Sequence, residues 1–316
     1  MRDNERSSDE PGSSVMREQR RLENMNNKFL DPPSLETPLH VSRITNHGIT
    51  AMTILDEIFI HKRAEIEMRK QAGPLAEIQA EAAQAPPPLD FVAALRCPRH
   101  DVSTAVSPAL IAEVKRASPS RGLLAADFDP LRLARIYQEN GAAAISVITD
   151  ERYFKGHLET LRQIAALRPR LPLLRKDFIC DPYQLYEARA AGADAALLIV
   201  AGLQPGLLHE LHALSSELGM APLVEVHSLD ELQVALACDP ILVGINNRDL
   251  RDFSVSLDTT LRLRGEIPER ICLVAESGIH TPEDVALLAA AGVDAVLVGE
   301  ALVTASDVGA KVRSLT

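Results

Sequence analysis

The stretch LIAEVKRASPSRG, Leu110 to Gly122, sets Glu113 and Lys115 two residues apart at the end of an apolar run. Residues i and i+2 of a β-strand point to the same side, so a carboxylate and an ammonium would share one face where a buried strand runs out. Such a pair can give and take protons. The pattern recurs along the chain. PLLRKD ends on Arg175, Lys176 and Asp177, and PLVEVH carries Glu225 and His227. ILVGIN leads into Asn246, Asn247 and Arg248, and ICLVAES into Glu276, Ser277 and Gly278. Taken alone, each charge reads as a solvated strand end. Arg175 and Asp177 also fit ion pairs in a sheet wall, and His227 fits a packing or hydrogen-bonding residue. Five polar strand ends are harder to dismiss, because buried single charges are costly and charges gathered in one mouth can pair with each other and with a ligand.

Two further stretches suit a phosphate. AESGI places Ser277 and Gly278 after one apolar run, and VGEAL places Gly299 and Glu300 before the last helical stretch. Backbone N–H groups at such turns and helix starts favour a dianion. Ser118 and Ser120 can add hydroxyls from the first loop.

These residues need a frame that brings strand ends together. From about Ser107 onward, short apolar runs alternate with amphipathic stretches. There are eight runs: 109–115, 143–149, 172–177, 195–200, 222–227, 241–246, 271–277 and 295–300. Between them lie helical phrases such as DPYQLYEARAAGA, SLDELQVALA and TPEDVALLAAAGV, several closing on Gly before the next run. Eight βα units predict a (β/α)8 barrel over 107–316, whose active site would sit at the C-terminal strand ends, with phosphate held after strands seven and eight. A doubly wound open sheet is the rival, and its G-x-G-x-x-G turn is not found. Residues 52–106 predict helices packing on the barrel. MTILDEIFIHKRAEIEMRK from Met52 has helical spacing, a second helix spans Pro74 to Gln84, and Asp90 can cap a third at Phe91. Residues 1–51 are polar, charged and rich in Ser and Asn. They read as a disordered or loosely attached extension, either dispensable or lying upstream of a functional start at Met52.

Composition narrows the classes. The chain has 316 residues, 46% of them hydrophobic and 24% charged, with a formal net charge of -11. That balance disfavours nucleic acid or an anionic membrane as a partner. The four cysteines are widely separated with no CxxC pair, which fits a reduced cytoplasmic protein and neither a zinc site nor a disulfide framework. The longest apolar run, near Ala195 to Leu203, is about half a membrane span, and no secretory signal is visible.

At these residues the chain closely resembles the indole-3-glycerol phosphate synthases of tryptophan biosynthesis. The resemblance runs from about Thr53 to the C-terminus through ILDEI, IAEVKRASPSRG, ITDERYFKG, LLRKDFICDPYQ, LVEVH, GINNRDL, VAESGI and VLVGE. It implies a (β/α)8 barrel with an extra N-terminal helical segment and no metal or organic cofactor. It also implies a lyase reaction. The ring carbon that bears the carboxylate of 1-(2-carboxyphenylamino)-1-deoxyribulose 5-phosphate attacks the ribulose carbonyl, then carbon dioxide and water leave.

By the resemblance Lys176 is the general acid of ring closure, its pKa expected to be tuned towards neutrality. Glu113, Lys115 and Glu225 are implied for the dehydration, with Glu225 or Lys115 as acid and Glu113 as base. Lys115 and Arg248 are placed near the substrate carboxylate. Asn246 and Glu276 hold hydroxyls and position the lysines. Phe154, Phe178, Pro119 and Leu250 form the slot for the aromatic ring. Ser277, Gly278, Gly299 and Glu300 take the phosphate, with Ser118 beside them. Two departures bear on that end of the site. Ala117 stands where some members carry a phosphate-gripping Lys, and Glu300 where some carry Ser, so its carboxylate must turn away. The alternatives are another phosphate-binding barrel such as phosphoribosylanthranilate isomerase, for which only Cys180 approaches a strand end, and a non-catalytic barrel scaffold. The implied partner is a phosphorylated small molecule, and association with other enzymes of tryptophan biosynthesis stays open.

Overall fold

The computed structural model describes residues 52–96, 107–119, 121–125, 127–249 and 253–316. The expectations for residues 1–51, Ser120 and Leu250 fall outside them. Each apolar run forms a strand buried along nearly its whole length: β1 (Ala109–Val114), β2 (Ala144–Ile148), β3 (Leu173–Lys176), β4 (Ala195–Ile199), β5 (Ala221–Val226), β6 (Leu242–Asn246), β7 (Cys272–Glu276) and β8 (Ala295–Val298). Every strand pairs in parallel with its sequence neighbours, and β8 returns to β1 with Ala295 opposite Ala109. The sheet is a closed eight-stranded barrel, which rules out the open doubly wound alternative. A closed parallel sheet is covered outside by helices and filled inside by side chains, which is why its strands read as continuous apolar runs.

The helices start where the sequence supplies caps. The side chains of Asp129, Asp181, Ser228 and Thr281 accept the first free backbone N–H groups of the helices that follow them. Proline at the first helical position suits three of these starts, because its absent N–H has no partner to lose there.

Residues 52 to 316 belong to one compact unit. Helix α1 (Ile54–Ala72) opens on a capping box between Thr53 and Asp56, two residues after Met52, where the apolar pattern begins. It buries Leu55, Ile58, Phe59, Lys62 and Ile66, spaced three and four apart on one face. Helix α2 (Leu75–Gln84) follows Pro74, and α3 (Phe91–Arg96) starts where the Asp90 carboxylate accepts the Ala93 N–H. Phe91 and Leu95 of α3 pack against the barrel core, and Arg96 donates to the carbonyl of Arg270 just before β7. Helix α3 therefore closes the barrel end opposite the strand C-termini. Among the described residues no helix is long and apolar enough to cross a membrane.

Candidate active site

Strand alternation sorts the three consecutive charges at the end of β3 onto two sides of the barrel wall. Arg175 and Asp177 point outward. Arg175 is fully buried and donates to the Gln184 carbonyl, to Glu187, to Asp177 and to Thr149 Oγ1. Asp177 also accepts from Thr149 Oγ1 at 2.6 Å and from the Phe178 N–H. Lys62 of α1 completes this group, with its ammonium 2.9 Å from Asp150, 3.0 Å from Asp177 and 3.1 Å from Glu65. Burial alone would raise the Asp177 pKa, but Lys62, Arg175 and the hydrogen bonds outweigh it and hold the carboxyl well below its usual range. Arg175 and Asp177 are therefore wall ion pairs and not rim charges. The partner that makes them so, Lys62, lies over a hundred residues away in sequence and gave no signal.

Lys176 points inward. Its ammonium lies 3.2 Å from Glu225 on β5 and 3.2 Å from Glu276 on β7. Desolvation would push its pKa down, but Glu225, Glu276 and Glu113 more than reverse this and keep it firmly protonated. The expectation of a pKa tuned towards neutrality is thus overturned, because two buried carboxylates share one ammonium. The two glutamates differ. For Glu225, burial is outweighed by Lys176, His227 and the Asn246 amide, which donates to Oε1 at 3.2 Å, so it stays a carboxylate. For Glu276, burial beats the single ammonium, and its pKa rises to about 8. Neither Glu276 oxygen accepts a hydrogen bond, since Lys176 approaches it off line.

Glu113 and Lys115 pair at 2.9 Å on the same mouth. Two glycines make room for these carboxylates. A Cβ at Gly244 would stand 2.3 Å from Glu276 Oε1, and one at Gly299 would stand 2.4 Å from Glu113 Oε1. Only glycine fits at either place without moving that carboxylate.

Glu113, Lys115, Lys176, Glu225, Asn246 and Glu276 line one cavity of about 520 Å³ at the C-terminal strand ends. Ile148, Leu197, Ile199 and Leu297 form its floor. Phe154 and Phe178 stand 6.0 Å apart, tilted to one another, and together with Pro119, Leu55 and Ile58 give it an apolar side. On the opposite side Ser277 and Gly278 both have positive φ, at 65° and 79°. A turn of this kind can offer backbone N–H groups to an anion. Gly299 and Glu300 border the same end, and the Glu300 carboxylate pairs with Arg121 at 3.0 Å.

The structure therefore brings together Glu113, Lys115, Ser118, Pro119, Phe154, Lys176, Phe178, Glu225, Asn246, Arg248, Glu276, Ser277, Gly278, Gly299 and Glu300. Asn247 leaves the group. It is buried, accepts from Thr260 and donates to the carbonyls of Glu276 and Ser277, and so staples β6 to β7. Sequence reasoning missed Arg121, although it sits in the SPSRG turn, and missed Leu55 and Ile58 of α1. Cys180, the residue on which an isomerase reading leaned, does not line the cavity, and burial pushes its thiol up to about 11.

A model of the family described as indole-3-glycerol phosphate synthase matches residues 55–315. The chain belongs to the indole-3-glycerol phosphate synthase family. It is 54% identical over 270 residues to the indole-3-glycerol phosphate synthase of Roseiflexus castenholzii, covering 83% of this chain and 98% of that protein. It is 49% identical over 265 residues to the one from Dehalococcoides mccartyi, covering 83% of this chain and 99% of that protein. Among solved structures, the 3-hexulose-6-phosphate synthase of Salmonella typhimurium is similar with a TM-score of 0.54 at 12% identity, over 66% of this chain and 96% of that one. At that identity the likeness speaks for the barrel alone. Membership in the synthase family accounts for the residues that the barrel shared with such distant structures does not.

Proposed function

We propose that the chain is an indole-3-glycerol phosphate synthase, a carboxy-lyase of tryptophan biosynthesis. It converts 1-(2-carboxyphenylamino)-1-deoxyribulose 5-phosphate to indole-3-glycerol phosphate, carbon dioxide and water. The observation that carries this reading is a buried lysine ammonium held between two glutamates beside an apolar slot, in a chain that matches the family from residue 55 to 315.

The substrate has three parts that the cavity can sort. The aromatic ring fits between Phe154, Phe178 and Pro119. The phosphate fits the Ser277–Gly278 turn and the Gly299 backbone, with Arg121 close by. The ribulose carbonyl then faces Lys176. When the ring carbon attacks, the carbonyl oxygen gains charge, and the Lys176 ammonium supplies the proton. Loss of carbon dioxide restores the aromatic ring. Dehydration needs a proton on the leaving hydroxyl and the loss of another from the neighbouring CH2 carbon, with the ring nitrogen's lone pair helping to expel the hydroxyl. Lys115 fits the acid and Glu113 the base, because they pair at 2.9 Å while Glu225 is held as a carboxylate. A substrate carboxylate leaves as neutral carbon dioxide, so each turnover takes up one proton from solvent. Arg248 and Asn246 complete the polar side. A cytoplasmic location goes with this reading and rests on family membership alone.

Steady-state turnover of the full chain, followed by indole fluorescence and by carbon dioxide released, tests the proposal. Equal amounts of indole product and carbon dioxide are expected. A folded protein that leaves the substrate unchanged contradicts it.

A further inference from the structure

His227 does not line the substrate cavity, yet it touches the acid–base cluster from behind. It follows β5, and only 10% of its side chain is exposed. Its Nδ1 lies 3.0 Å from Glu231 Oε2, the same oxygen that accepts the His227 backbone N–H at 2.8 Å. Its Nε2 lies 3.4 Å from Glu225 Oε1 and has no hydrogen-bond partner. The ring is thus clamped from one side by Glu231, with its other nitrogen aimed at a proposed reacting carboxylate. A second cavity is lined by His227, Glu231 and Asn246, and Glu231 does not line the first.

We propose that His227 is a positioning residue for the reaction proposed above: strung as an imidazolium between Glu231 and Glu225, it keeps Glu225 charged and aimed at Lys176 while Lys176 gives up its proton. The need follows from the charge count. Lys176 is the ammonium that Glu225 and Glu276 share. In ring closure its N–H bond breaks and an O–H bond forms on the substrate oxygen. The buried Glu225 carboxylate is then left beside a neutral amine, where it competes for the proton. A second cation on the far side of Glu225 lowers that carboxylate's proton affinity and favours proton loss from Lys176. The charged groups facing His227 are Glu225 on β5, Lys176 on β3, Glu276 on β7 and Glu231 on the helix that follows. The second cavity is also lined by Asp56, Arg248, Asp249 and Arg262. Burial works against the imidazolium, but Glu231, Glu225 and Glu276 outweigh it and raise its pKa. The charged form of the ring is therefore favoured to higher pH than in a free imidazole.

The test is kcat and KM against pH for the full chain and two variants. His227→Gln keeps a hydrogen-bonding side chain and removes the charge. Its kcat is expected to fall about tenfold or more at neutral pH, with KM within about twofold of wild type. The alkaline limb of kcat that belongs to His227 should disappear with it. Glu231→Gln lies outside the substrate cavity and removes the carboxylate that stabilises the imidazolium, so that limb should move to lower pH. A His227→Gln enzyme with wild-type kcat and the same limb overturns the proposal. So does a loss confined to KM, or an unmoved limb in Glu231→Gln. A wild-type protein without turnover strikes at the synthase reading itself, whereas a wild-type enzyme indifferent to both substitutions strikes only at His227.

Discussion

One residue separates two buried charge clusters that behave in opposite ways. Behind the wall, Asp177 stands between two cations, Lys62 and Arg175, and also accepts from Thr149, while Glu187 pairs with Arg175. Inside the mouth, Lys176 is divided between Glu225 and Glu276, and Glu276 is left with two unbonded oxygens. The outer cluster locks its carboxylate in the charged form, while the inner one leaves a carboxyl near pH 8. Two cations on one carboxylate hold it charged and in place. One cation between two carboxylates leaves a site that a ligand can complete.

Breaking the outer cluster should cost the most stability. Lys62→Met leaves Asp150 and Asp177 buried without their ammonium, and the expected loss is about 3–5 kcal/mol by urea unfolding. The same carboxylates accept the N–H groups of Phe154 and Phe178, so KM should rise as well. A variant as stable as wild type would show that Arg175 and Thr149 suffice.

The inner cluster should respond with the opposite sign and a smaller size. A carboxyl whose pKa is raised by folding adds stability below its unfolded value near 4.5 and loses it as pH climbs towards 8. Glu276→Gln fixes the neutral form. Its urea midpoint should exceed that of wild type at pH 8 and approach it at pH 5, while kcat falls. A midpoint lower than wild type at pH 8 would mean that the Glu276 charge is compensated after all.

The mildest perturbation sharpens the comparison from the side of shape. Gly299→Ala drives a methyl into Glu113 Oε1, and kcat should drop about tenfold with little change in the unfolding midpoint. A change in stability alone would place Glu113 with the structural charges.

The barrel was legible because its eight strands are apolar on both faces and its helices carry their own caps. The inward residues were legible because they end those strands. What stayed hidden was the direction of a charge across the wall. RKD reads as three equivalent charges until β3 sends Lys176 one way and Arg175 and Asp177 the other. Lys62 lay in an amphipathic helix, where a lysine ordinarily faces solvent, and only the docking of α1 buries it. The Lys176 pKa was misjudged because burial was weighed without the second carboxylate that the closed barrel brings from β7. Arg121 was passed over because a turn arginine carries no signal until Glu300 is seen beside it.

The most direct test of the account is kcat for Lys176→Ala against wild type at neutral pH, with circular dichroism to verify the fold. If Lys176 protonates the ribulose carbonyl, kcat should fall on the order of a thousandfold while the barrel remains intact. A folded Lys176→Ala protein within a few-fold of wild-type kcat would contradict the claim that the unevenly shared ammonium drives ring closure.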